Sequence, residues 1–288
     1  MLIFTSCEEV IEVETPSESP RLIVEGLIRV DQSEPFLPVR IKVSLTDNFF
    51  GEIPVTNLDN ILISYQEIED GVISFSGSST LAEIAPGTGI YEPDPDFFDD
   101  QRIPTVVTFA EETVFNLLIS HQGRRYFAET RYVSSVPIIS AQQGNATFFG
   151  EDDTEIIVLF ADQPNKDNNY IFDFAFNEYL VTSDEFYKDQ LFQFSYFYDR
   201  QFEPDTEIEI TLMGADRNFY NYMDQVIEQS EASQGVFQTP VATVRGNIFD
   251  ITDLDNNQVV DNTGRPELFP LGYFAVVQEY RQKVTIRE

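Results

Sequence analysis

Few residues in this sequence could carry out chemistry, because the chain has one cysteine, Cys7, and one histidine, His121. A serine or cysteine nucleophile needs a histidine beside it as a base, and no nucleophile-elbow motif is present. His121 also begins the sequence HQGR at residues 121 to 124, which is typical of a hairpin turn. Zinc needs three or four ligands, and the nitrogen and sulfur ligands are nearly absent. We therefore predict that the protein is not an enzyme.

Carboxylates are the one abundant catalytic group, because aspartate and glutamate together number 50. A pair of carboxylates on either side of a glycosidic bond can hydrolyse it. With so many acidic residues the number of pairs is very large, so their abundance singles out none of them. A hydrolase that uses a carboxylate pair remains the enzymatic alternative.

Calcium is the ion that the sequence fits best, because hard cations take oxygen ligands from clustered aspartates in turns. One group has part of the spacing of a calcium-binding loop: Asp253, Asp255, Asn257 and Asp261. A second acidic loop contains Asp94, Asp96, Asp99 and Asp100. In the first loop, Gln258 stands where an EF-hand has glycine, and Gly264 stands where it has the bidentate glutamate. These missing ligands favour solvated acidic loops, so we predict no cofactor, with bound calcium as the alternative.

Cys7 follows the short apolar run LIFTS at residues 2 to 6. This pattern resembles the tail of a bacterial lipoprotein signal peptide, in which the cysteine becomes the lipidated first residue. We therefore predict that residues 1–6 are a signal remnant and that residues 7–20 are a lipid anchor with an acidic tether. Residues 8 to 20 hold five glutamates and two prolines, which favours an extended chain. The alternative is an incidental or buried cysteine.

The charge of the chain excludes several kinds of partner. Among 288 residues, 17 lysines and arginines stand against 50 aspartates and glutamates, which gives a net charge of −33. Nucleic-acid binding needs cationic side chains to neutralise phosphates, so we predict no nucleic-acid partner. Attraction to anionic lipid head groups is disfavoured for the same reason. The predicted contact with a membrane is therefore the lipid on Cys7 alone.

Apolar residues recur with a period of two along most of the chain, as in Val39, Ile41 and Val43. Short alternating runs separated by turn residues indicate an all-β, mainly antiparallel fold. We predict an Ig-like β-sandwich over residues 21–136, and an aromatic-rich β-domain over residues 137–288. A helix is expected near residues 216–231, where Asp216 can cap it and Phe219 and Tyr222 have helical spacing.

Aromatic residues fall into two groups. Rows of phenylalanine and tyrosine at period two, as in YIFDFAF and LFQFSYFYD, are predicted to face the core rather than to stack on a sugar. Pairs in loops are instead predicted to bind a partner: Phe49, Phe50, Phe97 and Phe98. Loops on rigid β-scaffolds commonly carry recognition. The alternative is that these rings pack back onto their own sheets.

Four segments together resemble a known family: residues 7–26 (CEEVIEVETPSESPRLIVEG), 54–66 (PVTNLDNILISYQ), 239–248 (TPVATVRGNI) and 271–277 (LGYFAVV). They are similar to the Bacteroidota outer-membrane lipoproteins catalogued as domain of unknown function 4249. The acidic insertion at residues 250–270 departs from that family. The resemblance implies a lipid-anchored protein of the outer membrane, facing the cell surface, and a companion of TonB-dependent β-barrel transporters.

The expected function combines this resemblance with the lack of catalytic motifs. We expect a non-catalytic accessory subunit of a TonB-dependent transporter, which aids substrate capture or gating. The alternative is a free-standing surface binding or adhesion module that calcium would stabilise.

Overall fold

The computed structural model describes residues 20–46, 54–69, 72–110, 113–148, 150, 152–232, 244–253 and 269–287. Fifteen strands and one α-helix make up most of this part of the chain, which confirms the all-β prediction. The strands are β1 (Leu22–Val30), β2 (Ile41–Leu45), β3 (Asn60–Glu69), β4 (Val72–Glu83), β5 (Ile90–Pro93), β6 (Thr113–His121), β7 (Arg124–Val133), β8 (Ile138–Gln143), β9 (Thr154–Ala161), β10 (Asn169–Asp173), β11 (Tyr179–Ser183), β12 (Leu191–Tyr198), β13 (Glu207–Ala215), β14 (Phe249–Asp250) and β15 (Leu271–Thr285). The helix, α1, is Arg217–Ala232.

Eight strands form a closed sheet, in the order β15-β1-β2-β5-β4-β3-β6-β7. β15 pairs in parallel with β1 on one side and, through Val276 and Val277, with β7 on the other. The remaining neighbours in the ring are antiparallel. The prediction of an Ig-like β-sandwich for residues 21–136 is therefore wrong. Alternation shows which face of a strand is buried, but a facing sheet and a closed interior give the same alternation.

The interior of the closed sheet is a continuous apolar core. On β1, the inward-facing residues are Leu22, Val24, Ile28 and Val30, and none is more than 2% exposed. Gly26 stands among them because a Cβ there would lie 3.1 Å from the ring of Phe274 on β15. The close approach of β1 and β15 therefore leaves little room for a side chain at this point.

The second half of β15 leaves the closed sheet and pairs antiparallel with β13. β13 continues to β10 and β11, and a separate sheet of β12, β9 and β8 faces this extension. The core between them is aromatic, with Phe160, Phe172, Phe174 and Tyr198 fully buried. The period-two aromatic rows therefore belong to the core, except for Phe176, which lies beyond the end of β10 and is 48% exposed. β15 is shared by both parts, and the division of the chain at residues 136 and 137 stays a prediction.

Helix α1 packs over β10, β11 and β13 and contacts β15 through Tyr273. Its position agrees with the predicted one to within about a residue. The Oδ1 atom of Asp216 accepts a hydrogen bond of 2.7 Å from the backbone N–H of Phe219, as a capping residue does. The rings of Phe219 and Tyr222 lie 5.0 and 4.8 Å from the ring of Tyr273. Among the described residues, no helix has the length and apolar character needed to cross a membrane.

The closed sheet has two ends, which the pairing registers define. At the near end β1 and β15 begin, β2 ends, and Gln122 and Gly123 turn the chain from β6 into β7 with φ angles of 50° and 75°. At the far end β1 and β5 finish, and the chain turns from β3 into β4. The described chain begins at Pro20, at the near end.

Candidate functional site

Several predicted site residues lie outside the described residues: Cys7, Phe49, Phe50, Asp255, Asn257 and Asp261. Asp253 is described, and it is exposed at the near end with a φ of 58°. Before it, Asp250 is buried and forms an ion pair of 3.0 Å with Arg124. Within the described ranges, which include the acidic loop of residues 94–100, no group of three or more histidine, cysteine or acidic residues could hold a metal ion.

His121 is the last residue of β6, and its side chain is buried rather than exposed in the turn. Its Nε2 atom lies 2.7 Å from the hydroxyl of Thr56. Burial lowers the pKa of His121 below its ordinary value of 6.5, against the opposing effect of the Asp59 carboxylate. A neutral imidazole bonded to a hydroxyl is typical of a satisfied core residue. We therefore assign His121 to the packing of the near end.

Phe97 and Phe98 stand on the loop between β5 and the 3-10 helix Thr105–Thr108. Phe98 is 83% exposed and Phe97 is 38% exposed, and their ring centroids lie 4.7 Å apart. The side chain of Gln101 holds this loop to β4, because its Oε1 atom accepts a hydrogen bond of 2.7 Å from the N–H of Thr80. The fixed loop therefore presents Phe98 to solvent.

More exposed apolar side chains lie at the same far end, on the β3–β4 hairpin and the 3-10 helix. In the ladder, Phe75 pairs with Glu67 and Glu67 pairs with Thr113. The Thr113 hydroxyl donates a hydrogen bond of 2.6 Å to the carbonyl of Val107, which brings the 3-10 helix beside this ladder. We use the name far-end surface for the exposed apolar side chains at this end of the sheet: Val72, Ile73, Phe75, Phe97, Phe98, Val106 and Phe109.

Five of these seven residues were not predicted, because VISFS in β4 and TVVTF at residues 105–109 both have the composition of a short buried strand. The alternation of apolar and polar residues cannot show that β4 extends beyond β5, which pairs only with Leu81 to Glu83. The strand lengths could have indicated this exposure, because β3 and β4 have 10 and 12 residues and β5 has only 4.

Two cavities in the described part of the chain were also not expected. An apolar one of about 680 Å³ lies between α1 and the outer face of β1. A polar one of about 740 Å³ lies where β7 leaves the closed sheet. The polar cavity is lined by four cationic residues, Arg131, Lys166, Lys188 and Arg217, and by four acidic residues, Asp167, Asp184, Glu185 and Asp216. Such a lining suits a small ligand with charges of both signs.

Comparison with known proteins gives the family. The sequence matches the family described as a domain of unknown function, DUF4249, over residues 8–259. No curated protein matches the sequence. The matched region includes most of the closed sheet, the loop with Phe97 and Phe98, and helix α1. Since it spans most of the 288 residues, the chain belongs to the DUF4249 family.

Proposed function

We propose that this protein is a lipid-anchored outer-membrane protein of Bacteroidota, facing the cell surface. There it acts as a non-catalytic accessory subunit of a TonB-dependent transporter and aids substrate capture or gating. The observation that carries the proposal is the far-end surface, because apolar side chains exposed together mark a contact with a partner. In a chain of net charge −33 the surface is otherwise rich in carboxylates, so such a group of side chains stands out.

The position of the far-end surface supports the proposal. The described chain begins at Pro20 at the near end, after a predicted tether that starts at Cys7. β1 runs from the near end to the far end over nine residues, a length of about 30 Å at about 3.3 Å per residue. An anchor on Cys7 would leave the far-end surface free for a partner in the same membrane. Confinement to the membrane raises the effective concentration of that partner, so a modest contact suffices.

A double substitution of the phenylalanine pair tests the proposal. Phe97→Ser with Phe98→Ser should reduce co-purification with the transporter in mild detergent by about tenfold or more, as expected for the loss of two aromatic anchors. Phe186→Ser is the matched control, because Phe186 is 92% exposed and lies on the 3-10 helix before β12. The melting temperatures of both variants should match that of the unmodified protein.

Three results would contradict the proposal or its site. A markedly lower melting temperature of the double variant would show that the rings belong to the core. Full co-purification of a folded double variant would place the interface elsewhere. Failure of any β-barrel transporter to co-purify with the unmodified protein would refute the accessory role.

The alternative function is a free-standing surface binding or adhesion module, which calcium would stabilise. The polar cavity favours it, because the cavity could take a ligand without a partner protein. Binding of a small zwitterionic ligand by the purified protein, with loss of binding in Arg217→Ala, would support this alternative.

A further inference from the structure

We infer that the partner docks by adding an extended segment to the free edge of β4, as one more strand of the sheet. The inference rests on the proposed function, and it specifies how the far-end surface would be recognised. Strand addition is a common mode of recognition, in which main-chain hydrogen bonds provide affinity and alternate side chains provide specificity.

β4 is paired along one side and open along most of the other. From Val72 to Thr80 it pairs with β3. On its other side it pairs with β5 only from Leu81 to Glu83. Next to that short pairing, the N–H of Thr80 donates to Gln101 and the carbonyl of Thr80 accepts a hydrogen bond of 3.0 Å from Asp94. Before Thr80, no strand in the described ranges pairs with this side of β4.

The direction of the free backbone groups follows from the antiparallel register. Thr80 points its N–H and carbonyl away from β3, toward Gln101 and Asp94. Backbone groups alternate in direction along an antiparallel strand, so those of Ser78 and Ser76 point the same way. Both serines are exposed. The ladder stays regular as far as Phe75, and the register shifts beyond it. These two residues therefore present a short row of donors and acceptors to a partner strand.

The open stretch lacks two of the features that normally protect an edge, and its one irregularity lies at Ser74, outside the regular ladder of Phe75 to Thr80. Its sequence from residue 72 to 80, VISFSGSST, has no charged residue and no proline. Natural edge strands usually carry charges, prolines or bulges that prevent pairing with another chain. Val72, Ile73 and Phe75 are also exposed on it. By contrast β12, another edge strand of the described chain, has one large apolar side chain that is exposed, Leu191.

The charges beside the edge indicate which segment it would take. Asp94 is bonded to Thr80, so the acidic loop of residues 94–100 borders one end of the open stretch. Asp94, Asp96 and Asp99 have no ion pair within the described residues. A second copy of this chain would bring the same loop and a further net charge of −33. The edge therefore suits an extended segment of another protein, with apolar residues at alternate positions and a lysine or arginine at the end near Asp94.

Photo-crosslinking of the full-length protein in its own membrane tests this inference. The variant Ser78→p-benzoylphenylalanine places a crosslinker on the edge, and the same replacement at Phe186 is the control position. We expect Ser78 to crosslink to an extended segment of the co-purifying transporter that has alternate apolar residues and a lysine or arginine at one end, and Phe186 not to do so. Mass spectrometry of the crosslinked peptides identifies the segment.

A backbone substitution then separates strand addition from simple proximity. Ser76→Pro removes an N–H that points to the open side, so it breaks no hydrogen bond to β3. It should lower the crosslinking yield about tenfold, which corresponds to about 1.4 kcal/mol. Ser76→Thr keeps the N–H and should crosslink like the unmodified residue.

If Ser76→Pro lowers the melting temperature, amide hydrogen exchange is measured instead of the crosslinking yield. The N–H groups of Ser76 and Ser78 should exchange about tenfold more slowly in the complex than in the free protein.

The outcomes distinguish this inference from the proposed function. If the transporter co-purifies but neither crosslinks to Ser78 nor slows the two amides, strand addition is refuted and the accessory role stands. Crosslinking of Ser78 to β4 of a second copy overturns the choice of partner. If no transporter co-purifies, the accessory role fails. The inference about the edge then holds only if Ser78 crosslinks to an extended segment of some other protein.

Discussion

His121 shows how burial at a single residue gives the protein a pH dependence. Its pKa is lowered by burial from an ordinary value of 6.5, so the folded state binds fewer protons than the unfolded state at pH values between the two pKa values. The contribution of His121 to the free energy of unfolding is fully present above pH 6.5, and it is lost as the pH falls toward the pKa of the folded state. The slope is at most about 1.4 kcal/mol per pH unit for one proton.

We therefore expect the free energy of unfolding to decrease from about pH 7 to about pH 5.5, above the range in which carboxylates with a pKa of about 4 titrate. His121→Gln can keep a hydrogen bond to Thr56, and it should show a flatter profile over the same range. Urea unfolding at several pH values measures both. Equal slopes for the two proteins would show that the imidazole titrates alike in the folded and unfolded states.

Cys7 carries the prediction about the membrane. If it is the lipidated residue, Cys7→Ser in the full-length gene should move the protein from the membrane fraction to the soluble fraction, because one polar side chain replaces the whole anchor. Ser6→Ala, one residue earlier, serves as a control that leaves the thiol in place. Immunoblotting of separated fractions measures the result. A variant that stays in the membrane fraction, even with the transporter gene deleted, would refute the lipid anchor.

Only part of the far-end surface could be predicted from the sequence. Phe97 and Phe98 were predicted from their setting in an acidic loop, and both are exposed, although their role as a contact stays a prediction. Val72, Ile73 and Phe75 were not predicted, since their exposure depends on where β5 ends beside β4. A single sequence records the pattern along one strand but not the length of its neighbour.

Helix α1 is the element that the sequence predicted most closely, because its signals are local. A capping aspartate and apolar residues at helical spacing act within one turn of the chain. Most strand positions were likewise predicted, although TVVTF at residues 105–109 resembles a short strand and forms a 3-10 helix instead. The arrangement of the strands was not, because pairing between β1 and β15 joins residues about 250 positions apart, as in Ile23 with Leu271.

The cap of α1 can be tested by itself. Asp216→Ala should lower the free energy of unfolding by about 1 kcal/mol, because the N–H of Phe219 loses its partner and the start of the helix loses a negative charge. Glu228→Ala is the control, since it removes the same charge from an exposed position in the last turns of α1. Urea denaturation measures both. Equal effects of the two substitutions would mean that the hydrogen bond to Phe219 contributes nothing.

At the scale of the whole molecule, β15 makes the two parts depend on each other. It completes the closed sheet between β1 and β7, and its second half forms the middle of the other sheet beside β13. Without β15, both β1 and β7 would become open edges of a split sheet.

A fragment of residues 20–136 should therefore not fold cooperatively, although the predicted boundary lies at its end. Near-UV circular dichroism and urea unfolding of the isolated fragment measure this. Addition of the separate fragment of residues 137–288 is the control, because it supplies β15 and should restore a cooperative transition. A fragment that unfolds cooperatively without this addition would establish residues 21–136 as an autonomous domain.

The place of β15 in the chain has a consequence for biosynthesis. β7 ends at Val133 and β15 begins at Leu271, so a growing chain contains seven of the eight ring strands long before the one that closes the ring. At about 5–20 residues per second, that interval is on the order of ten seconds. During it the nascent polypeptide cannot complete its native sheet, because β1 and β7 lack the strand that pairs with both of them. The order of the strands therefore delays closure of the sheet until β15 has been synthesised.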